Sequence, residues 1–412
     1  MARTLNVYYD QELAGQLIQD DGGQMTFQYD KVWRTKPEPI PLSHSLPLRE
    51  ERFTQKECRG FFGGTLPEEG IRKVVARILG ISDKNDFAML EQIGGECAGA
   101  ISFLPEDEEI SADDDSYREL GDDELAKILR ELPRRPLMVG TDGIRLSLAG
   151  AQDKIVVRFD DEKISIPCGS APSSHVLKPA IDTYEGVVFN EAFCMALANA
   201  CDLNVAPIEI GKVEDIDYLL AERFDRIRDD EGNIRRLHQE DICQALGIPS
   251  EIKYQSEGGP SLADCFTLIR DVSSAPALDL IALLDAVIFN LLIGNHDAHA
   301  KNFSLLYIPN RSIRFAPLYD LVCTVFYPEL TDKMAMKTGG VAKSALIYPK
   351  QIERFAADAG LAAAQTRARI SALADRLLEA IPGIEKPHPI SEAVAALITK
   401  RCYDYRSRFS KK

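Results

Sequence analysis

Asp297 and Asn302 are spaced Asp-x-x-x-x-Asn within Ile293-Gly-Asn-His-Asp-Ala-His-Ala-Lys-Asn-Phe-Ser304. Protein-kinase catalytic loops use this spacing to set a carboxylate against the acceptor hydroxyl and an amide on the metal ion. A second carboxylate, Asp320 in Pro317-Leu-Tyr-Asp320, follows an apolar strand-like segment. Two carboxylates and an amide on neighbouring loops could hold Mg²⁺ on a triphosphate and orient a hydroxyl, because Mg²⁺ takes hard oxygen ligands and leaves positions for phosphates. A polar turn after a helix supplies the same residues without chemistry, so spacing alone leaves both readings open. His296 and His299 could join Asp297 and Asp320 as transition-metal ligands. The chain offers no His-Glu-x-x-His pattern or cysteine partner for that, which favours histidines that shape the loop by hydrogen bonding.

Such a loop needs a rigid neighbour, and the apolar run Leu280–Leu292 directly before it reads as a buried helix. Asp285 interrupts the run, which is too short to span a bilayer. A kinase also needs groups for the triphosphate. Ser147-Leu-Ala-Gly-Ala-Gln152 lies between two strand-like segments, Ile144–Ser147 and Ile155–Phe159. A hairpin there could fold over phosphates through backbone N–H groups, although it lacks both Gly-x-Gly-x-x-Gly and the Walker pattern. Lys178 in His175-Val-Leu-Lys178 stands on a following strand, and Glu191 opens a helix in which it could pair with that lysine. An ordinary turn, a strand-end lysine and a helix acid are the plain alternatives for each part. Their order along the chain, loop, Lys, Glu, Asp-x-x-x-x-Asn and Asp, argues against coincidence.

The rest of the chain divides accordingly. Residues 4–30 alternate in hydropathy around turn signals at Asp10-Gln11 and Asp20–Gly23, predicting an antiparallel meander. Pro37–Pro47 is extended, helices follow from Pro67 to Leu79 and from Phe87 to Ile93, and a strand covers Ala98–Leu104. The acidic run Glu106–Asp115 reads as a solvated linker. Beyond a helix at Asp122–Leu132, strands are expected at Ile164–Ile166, Val176–Lys178, Ile208–Val213 and Tyr218–Phe224. Val187–Cys201 reads as an amphipathic helix. Helices then dominate, at 239–246, 262–271, 279–293, 350–359, 362–380 and 391–408. The expected organisation is residues 1–105 as an N-terminal module of meander and helices, 106–120 as acidic linker, 121–238 as an ATP-binding region and 239–412 as a helical catalytic region. The fold class is α+β, two-lobed and kinase-like, with a small β-rich N-terminal module.

With 45% hydrophobic and 27% charged residues the 412-residue chain can build a sizeable core. Its net charge of −16 argues against a free-standing nucleic-acid binder. Nine cysteines without a Cys-x-x-Cys fit reduced cytosolic thiols. Residues 1–9 lack the charged-then-apolar pattern of a signal peptide, so a soluble cytoplasmic protein with no membrane contact is expected. The basic C-terminal stretch Lys400–Lys412 reads as a solvated helix end, with DNA phosphates or a partner as the other reading.

Taken together, Ser147–Lys154, His175–Lys178, Asn190-Glu191, Glu222-Arg-Phe-Asp-Arg226, Gln239–Gln244, Asn295–Asn302 and Leu318–Asp320 resemble the HipA family, serine/threonine kinase toxins of bacterial type II toxin–antitoxin pairs. Pro41–Leu48, Phe61-Phe62 and Leu66-Pro67-Glu68 resemble that family's N-terminal module, so the resemblance covers nearly the whole chain. It implies ATP and Mg²⁺ as cofactors, with Asp297 acting on the acceptor hydroxyl and Asn302 and Asp320 as Mg²⁺ ligands. Ser147, Leu148, Ala149, Lys178, Glu222, Phe224, His299 and Lys301 would bind ATP, and Ser147 would be the site of autophosphorylation. It further implies a helix-turn-helix antitoxin as partner, operator DNA reached mainly through that antitoxin, and an aminoacyl-tRNA synthetase as the kind of protein substrate. Asn-His-Asp in place of His-Arg-Asp and Tyr-Asp-Leu in place of Asp-Phe-Gly depart from ordinary protein kinases. An aminoglycoside-type phosphotransferase and a mainly non-catalytic corepressor are the rival readings.

Overall fold

The computed structural model describes residues 2–108, 116–141, 143–150, 152–309 and 312–409. Most of the acidic run expected as linker, residues 109–115, lies outside the described residues. The chain forms two compact units. The first comprises Met1–Pro179, Gly211–Glu251 and Leu306–Arg311; the second comprises Ala180–Ile210, Ile252–Leu305 and Ser312–Lys412.

In the first unit, β1 (Arg3–Tyr9), β2 (Glu12–Gln19) and β3 (Met25–Tyr29) form the expected meander. β4 (Ile101–Pro105) pairs antiparallel with the free edge of β1, giving the order β3-β2-β1-β4. Alternation along the strands turns Leu5, Val7, Leu17 and Phe27 into a core shared with helices α1 (Lys31–Arg34), α2 (Gln55–Gly64), α3 (Glu69–Leu79) and α4 (Asp86–Ile93). Helix α2 was not legible in the sequence, because three glycines weaken its helical pattern. Glu57 fixes its start by accepting from the Thr54 N–H at 2.8 Å, and Phe61 and Phe62 are fully buried beneath it.

A second sheet runs in the order β5-β7-β6-β8-β10-β9. Its strands are β5 (Ser116–Glu119), β6 (Ile155–Asp160), β7 (Lys163–Cys168), β8 (His175–Pro179), β9 (Ile208–Val213) and β10 (Ile216–Glu222). Strand β5 falls inside 106–120, the segment expected as linker, and extends the sheet by pairing with β7. Helix α5 (Asp122–Glu131) buries Leu125, Ala126 and Leu129. The hairpin expected over 144–159 does not form: Ile144–Ser147 makes a single parallel bridge, Leu146 to Glu96, while β6 pairs with β7 and β8. The helix expected at 239–246 is also shorter. After the hairpin of β11 (Arg226–Arg228) and β12 (Ile234–Arg236), His238–Asp241 is strand β13, and only Ile242–Ala245 is helical (α7). Asp241 caps that helix, its side chain accepting from the Gln244 N–H at 2.9 Å.

The second unit is mainly helical: α6 (Val187–Ala200), α8 (Leu262–Val272), α9 (Pro276–Ile293), α10 (Pro349–Asp358), α11 (Ala363–Ala380) and α12 (Pro389–Phe409). Strands β14 (Ser304–Ile308), β15 (Ser312–Phe315), β16 (Lys333–Thr338) and β17 (Val341–Lys343) interrupt it. Helix α6 is buried nearly all round rather than amphipathic, because α11 and α12 both pack on it. Helix α9 extends beyond the apolar run read from sequence, and among the described residues it alone is long and apolar enough to cross a bilayer. Two thirds of it is buried inside the fold. Its two acids are paired, Asp279 with Arg314 at 2.8 Å and Asp285 with Arg369 at 2.6 Å, which marks a core helix.

Candidate active site

Helix α9 stops at Gly294, whose left-handed backbone (φ 80°) turns the chain into the polar loop. A side chain there would run into Val325 and Arg401. Arg401 of α12 covers the helix end by donating to the carbonyls of Leu291 (2.7 Å) and Leu292 (3.0 Å), where a cation also suits the helix dipole. Much of the basic end of α12 is therefore engaged within its own unit; Arg406 pairs with Asp375 at 3.1 Å.

From Gly294 a chain of hydrogen bonds sets the acids. Asn295 donates to Asn290 Oδ1 at 2.9 Å, and its own Oδ1 accepts from the Asp297 N–H at 3.1 Å. Its amide also reaches the Asp320 carbonyl at 3.5 Å. Asp297 is exposed, and the Tyr254 hydroxyl donates to its Oδ1 at 2.9 Å. The His299 N–H donates to the Asp297 carbonyl (2.7 Å), and Asn302 closes a short 3₁₀ turn, Ala300–Asn302. Asn302 Nδ2 donates to Asp320 Oδ2 at 2.7 Å. Asp320 has a left-handed backbone (φ 57°), which Asp tolerates better than most residues. Tyr319 beside it donates its hydroxyl to the Lys301 carbonyl at 2.7 Å. Asp297, His299, Lys301, Asn302 and Asp320 are thus one cluster in the second unit, where Glu191 is also placed, buried on α6.

His296 does not turn toward the acids. Its Nε2 shares a hydrogen bond with Ser344 Oγ at 2.8 Å and its N–H donates to Thr324 Oγ1 at 2.7 Å. Burial, then the charge of Arg401, lowers its pKa, so the imidazole stays neutral. Among the described residues no three His, Cys, Asp or Glu side chains gather as a metal site, which leaves the transition-metal reading without its ligand set. The oxygen set of Asn302 and Asp320 has the hard donors that Mg²⁺ takes beside phosphate. Sequence reasoning missed Asn295 as the bridge between the two acids, and Tyr254. Asn295 lay inside the motif itself; Tyr254, forty-three positions from Asp297, carried no local signal.

The remaining candidates lie in the first unit. Lys178 is nearly buried on β8, paired in register with Leu219 of β10. Strand β10 ends at exposed Glu222, with half-buried Phe224 two residues on. Ser147 is fully buried: its hydroxyl donates to the Thr65 carbonyl at 2.9 Å and its N–H to the Glu96 carbonyl at 2.9 Å. Leu148 is buried beside it. Lys154 Nζ donates to the Ala149 carbonyl at 2.9 Å and so ties down the following turn. Gly150 sits there at φ 108°, and a side chain would strike that ammonium.

An α+β fold with this acid set defines a protein-kinase-like enzyme. Family profiles place it further: residues 5–104 match the HipA N-terminal domain and residues 146–381 the HipA-like C-terminal domain. The chain belongs to the HipA family. It is 47% identical to the Sinorhizobium fredii protein Y4mE over 92% of this chain and 91% of that protein. It is 29% identical to the serine/threonine-protein kinase toxin HipA of Shewanella oneidensis over 92% of this chain and 88% of that one. The solved complex of Shewanella oneidensis HipA with HipB and operator DNA contains a chain that superimposes with a TM-score of 0.87 at 27% identity, covering 99% of this chain and 98% of that one.

Proposed function

We propose that this protein is an ATP-dependent serine/threonine kinase toxin, paired with a helix-turn-helix antitoxin and bound to operator DNA mainly through it. The observation that carries the reading is the Asn295-bridged cluster of Asp297, Asn302 and Asp320 in a chain of this family. Asp297 accepts the proton of a protein Ser or Thr hydroxyl as that oxygen bonds to the γ-phosphorus. The bond from phosphorus to the β–γ bridging oxygen breaks, and ADP leaves with the electron pair. Asn302 and Asp320 would hold Mg²⁺, which would supply positive charge to offset that of the triphosphate. Lys178, His299 and Lys301 would face phosphates and Glu222 and Phe224 would hold adenine. Leu148 and Ala149 would cradle the phosphates through backbone N–H groups, with Ser147, whose own N–H is held by the Glu96 carbonyl, anchoring the loop. The protein substrate is assigned to the aminoacyl-tRNA synthetase class, by family alone.

Asp297→Asn should all but abolish transfer, with a residual rate roughly 10²–10⁴-fold below wild type, while leaving Mg-ATP affinity within about threefold, because its carboxylate serves the acceptor. Asp320→Asn should weaken Mg-dependent nucleotide binding itself. Calorimetric titration of both variants checks this, and equal loss of ATP binding in the two would reject the division of roles. Ser147 is proposed as the autophosphorylation site and as an off-switch. Its buried hydroxyl must leave Thr65 to be modified, and a phosphate would add about −1.5 to −2 charges beside the triphosphate. Phosphorylated protein that still binds ATP as tightly as phosphatase-treated protein would overturn the switch.

A further inference from the structure

Beneath the Glu222–Phe224 connector lies a buried ionic cluster of three guanidiniums and two carboxylates: Arg223, Arg226 and Arg236 with Glu96 and Asp225. Along the connector the side chains alternate. Glu222 is exposed and Phe224 half-buried, while Arg223 and Asp225 point inward and are almost wholly buried. The Arg223 fork grips Asp225 at 2.9 and 2.8 Å, and the Arg223 N–H donates to the Ser174 carbonyl at 2.9 Å. Glu96 Oε1 accepts from Arg226 at 2.8 Å, from Arg223 at 3.2 Å and from the Ser173 hydroxyl at 2.8 Å. Its Oε2 takes both Arg236 Nη2 at 2.7 Å and Nε at 3.2 Å. The main chain of the same residue holds a different segment: its carbonyl accepts the Ser147 N–H at 2.9 Å. Burial works against ionising Glu96, but Arg226, Arg236 and Arg223 together hold its carboxyl well below the usual range.

We infer that Glu96, a residue of the N-terminal module, is a positioning residue for the nucleotide, its carboxylate fixing the adenine connector through the three arginines and its carbonyl fixing the phosphate loop at Ser147. This rests on the assignment of adenine to Glu222 and Phe224 and of phosphate to the loop Ser147–Ala149 made above. Groups that lock a ligand-binding backbone act by removing wrong geometries from it, so their loss is read in ligand affinity.

The test separates the two ends of the nucleotide in the full-length protein, using adenosine as the probe for the connector and inorganic tripolyphosphate as the probe for the loop. Glu96→Gln keeps the shape but halves the carboxylate count of the cluster. Arg236→Met leaves two guanidiniums against two carboxylates, a balanced set that should fold even if Glu96→Gln does not. Arg236→Lys keeps every charge and loses the two-pronged bond to Glu96 together with the Nη2 donation to the Ser170 carbonyl at 2.7 Å. Melting curves establish which variants are folded at the assay temperature. Glu96→Gln and Arg236→Met should weaken ATP and adenosine about tenfold, the scale of a lost charge-assisted hydrogen bond. They should raise KM for ATP with kcat at saturating ATP within about twofold, and leave tripolyphosphate affinity unchanged, because the main-chain bond to Ser147 survives. Arg236→Lys should recover part of the adenosine affinity. Unchanged adenosine affinity in the folded Arg236 variants overturns the inference, as does equal weakening of adenosine and tripolyphosphate, which would mean general loosening. Phe224→Ala distinguishes the two levels: if it weakens adenosine and the network variants do not, only the positioning role fails. If Phe224→Ala has no effect, the adenine assignment itself falls and takes the inference with it.

Discussion

The two polar clusters of this protein are built on opposite principles. Around Asp297 the acids sit at the surface or half-buried, and the Tyr254 hydroxyl and the Asn302 amide donate to their carboxylates. Around Glu96 the charges are sealed from water and each is paired with an opposite one. A carboxylate that must take a proton or a metal ion has to remain within reach of solvent and substrate. A carboxylate that only holds geometry gains from burial, because low dielectric strengthens each ion-pair bond while making it costly to leave any one unmade.

The largest effect expected from that contrast is at Asp297. Asp297→Asn should lower kcat by roughly 10²–10⁴-fold, the usual contribution of a positioned base. Its melting temperature should stay within about 2 °C of wild type, as for other surface substitutions. A large loss of stability would place Asp297 in the structural class instead. Glu96→Ala should do the reverse, costing about 3–5 kcal/mol because three buried guanidiniums are left with one carboxylate. Chemical denaturation measures it, and a change below about 1 kcal/mol would show that water replaces the carboxylate freely.

A third acid sharpens the comparison, being buried without a cation among its closest partners. Glu240 accepts from the Ser43 hydroxyl, the His44 N–H and the Tyr307 hydroxyl, all neutral. Burial pushes its pKa up from 4.5 to about 7. As pH rises through 4.5 the unfolded chain ionises first, so this group's contribution to stability falls until about pH 7 and is flat beyond. Wild type should therefore lose about 3 kcal/mol relative to Glu240→Gln across that window. Parallel pH profiles for the two proteins would contradict the raised pKa. The comparison with a variant matters because His238, held by burial near pKa 4, works in the opposite direction: its contribution is lost as pH falls from 6.5 toward 4. The smallest effect belongs to Tyr254→Phe, which removes one hydroxyl from Asp297. A few-fold fall in kcat is expected, about 1 kcal/mol, with no change in ATP affinity. An ATP affinity that moves with kcat would show that Tyr254 serves the nucleotide rather than the base.

How much of this was legible in the sequence follows from the reach of each contact. The Asp-x-x-x-x-Asn loop was readable because its framework is local. His299 bonds to Asp297 and Asn302 to His299 within a few residues, so spacing alone encodes the turn. The meander was readable for the same reason, its side-chain alternation following from strand geometry. Helix α6 was misread as amphipathic because its pattern reports composition, while α11 and α12, which cover its outer face, come more than 150 positions later.

The segment at Ser147 shows the limit most directly. Small residues between two apolar runs predict a hairpin, and the sequence determined that a turn with Gly150 lies there. The partners that decided its conformation are Thr65, eighty-two positions upstream, and Glu96, whose carboxylate meets Arg223 and Arg226 across more than 120 residues of chain. Local pattern carries the periodicity of a helix or a strand and the chemistry of a turn, because these depend on neighbours within a few positions. It carries no record of which distant group will satisfy a buried hydroxyl or carboxylate. Only the folded chain decides that, since burial makes the partner obligatory and packing selects which one is in reach.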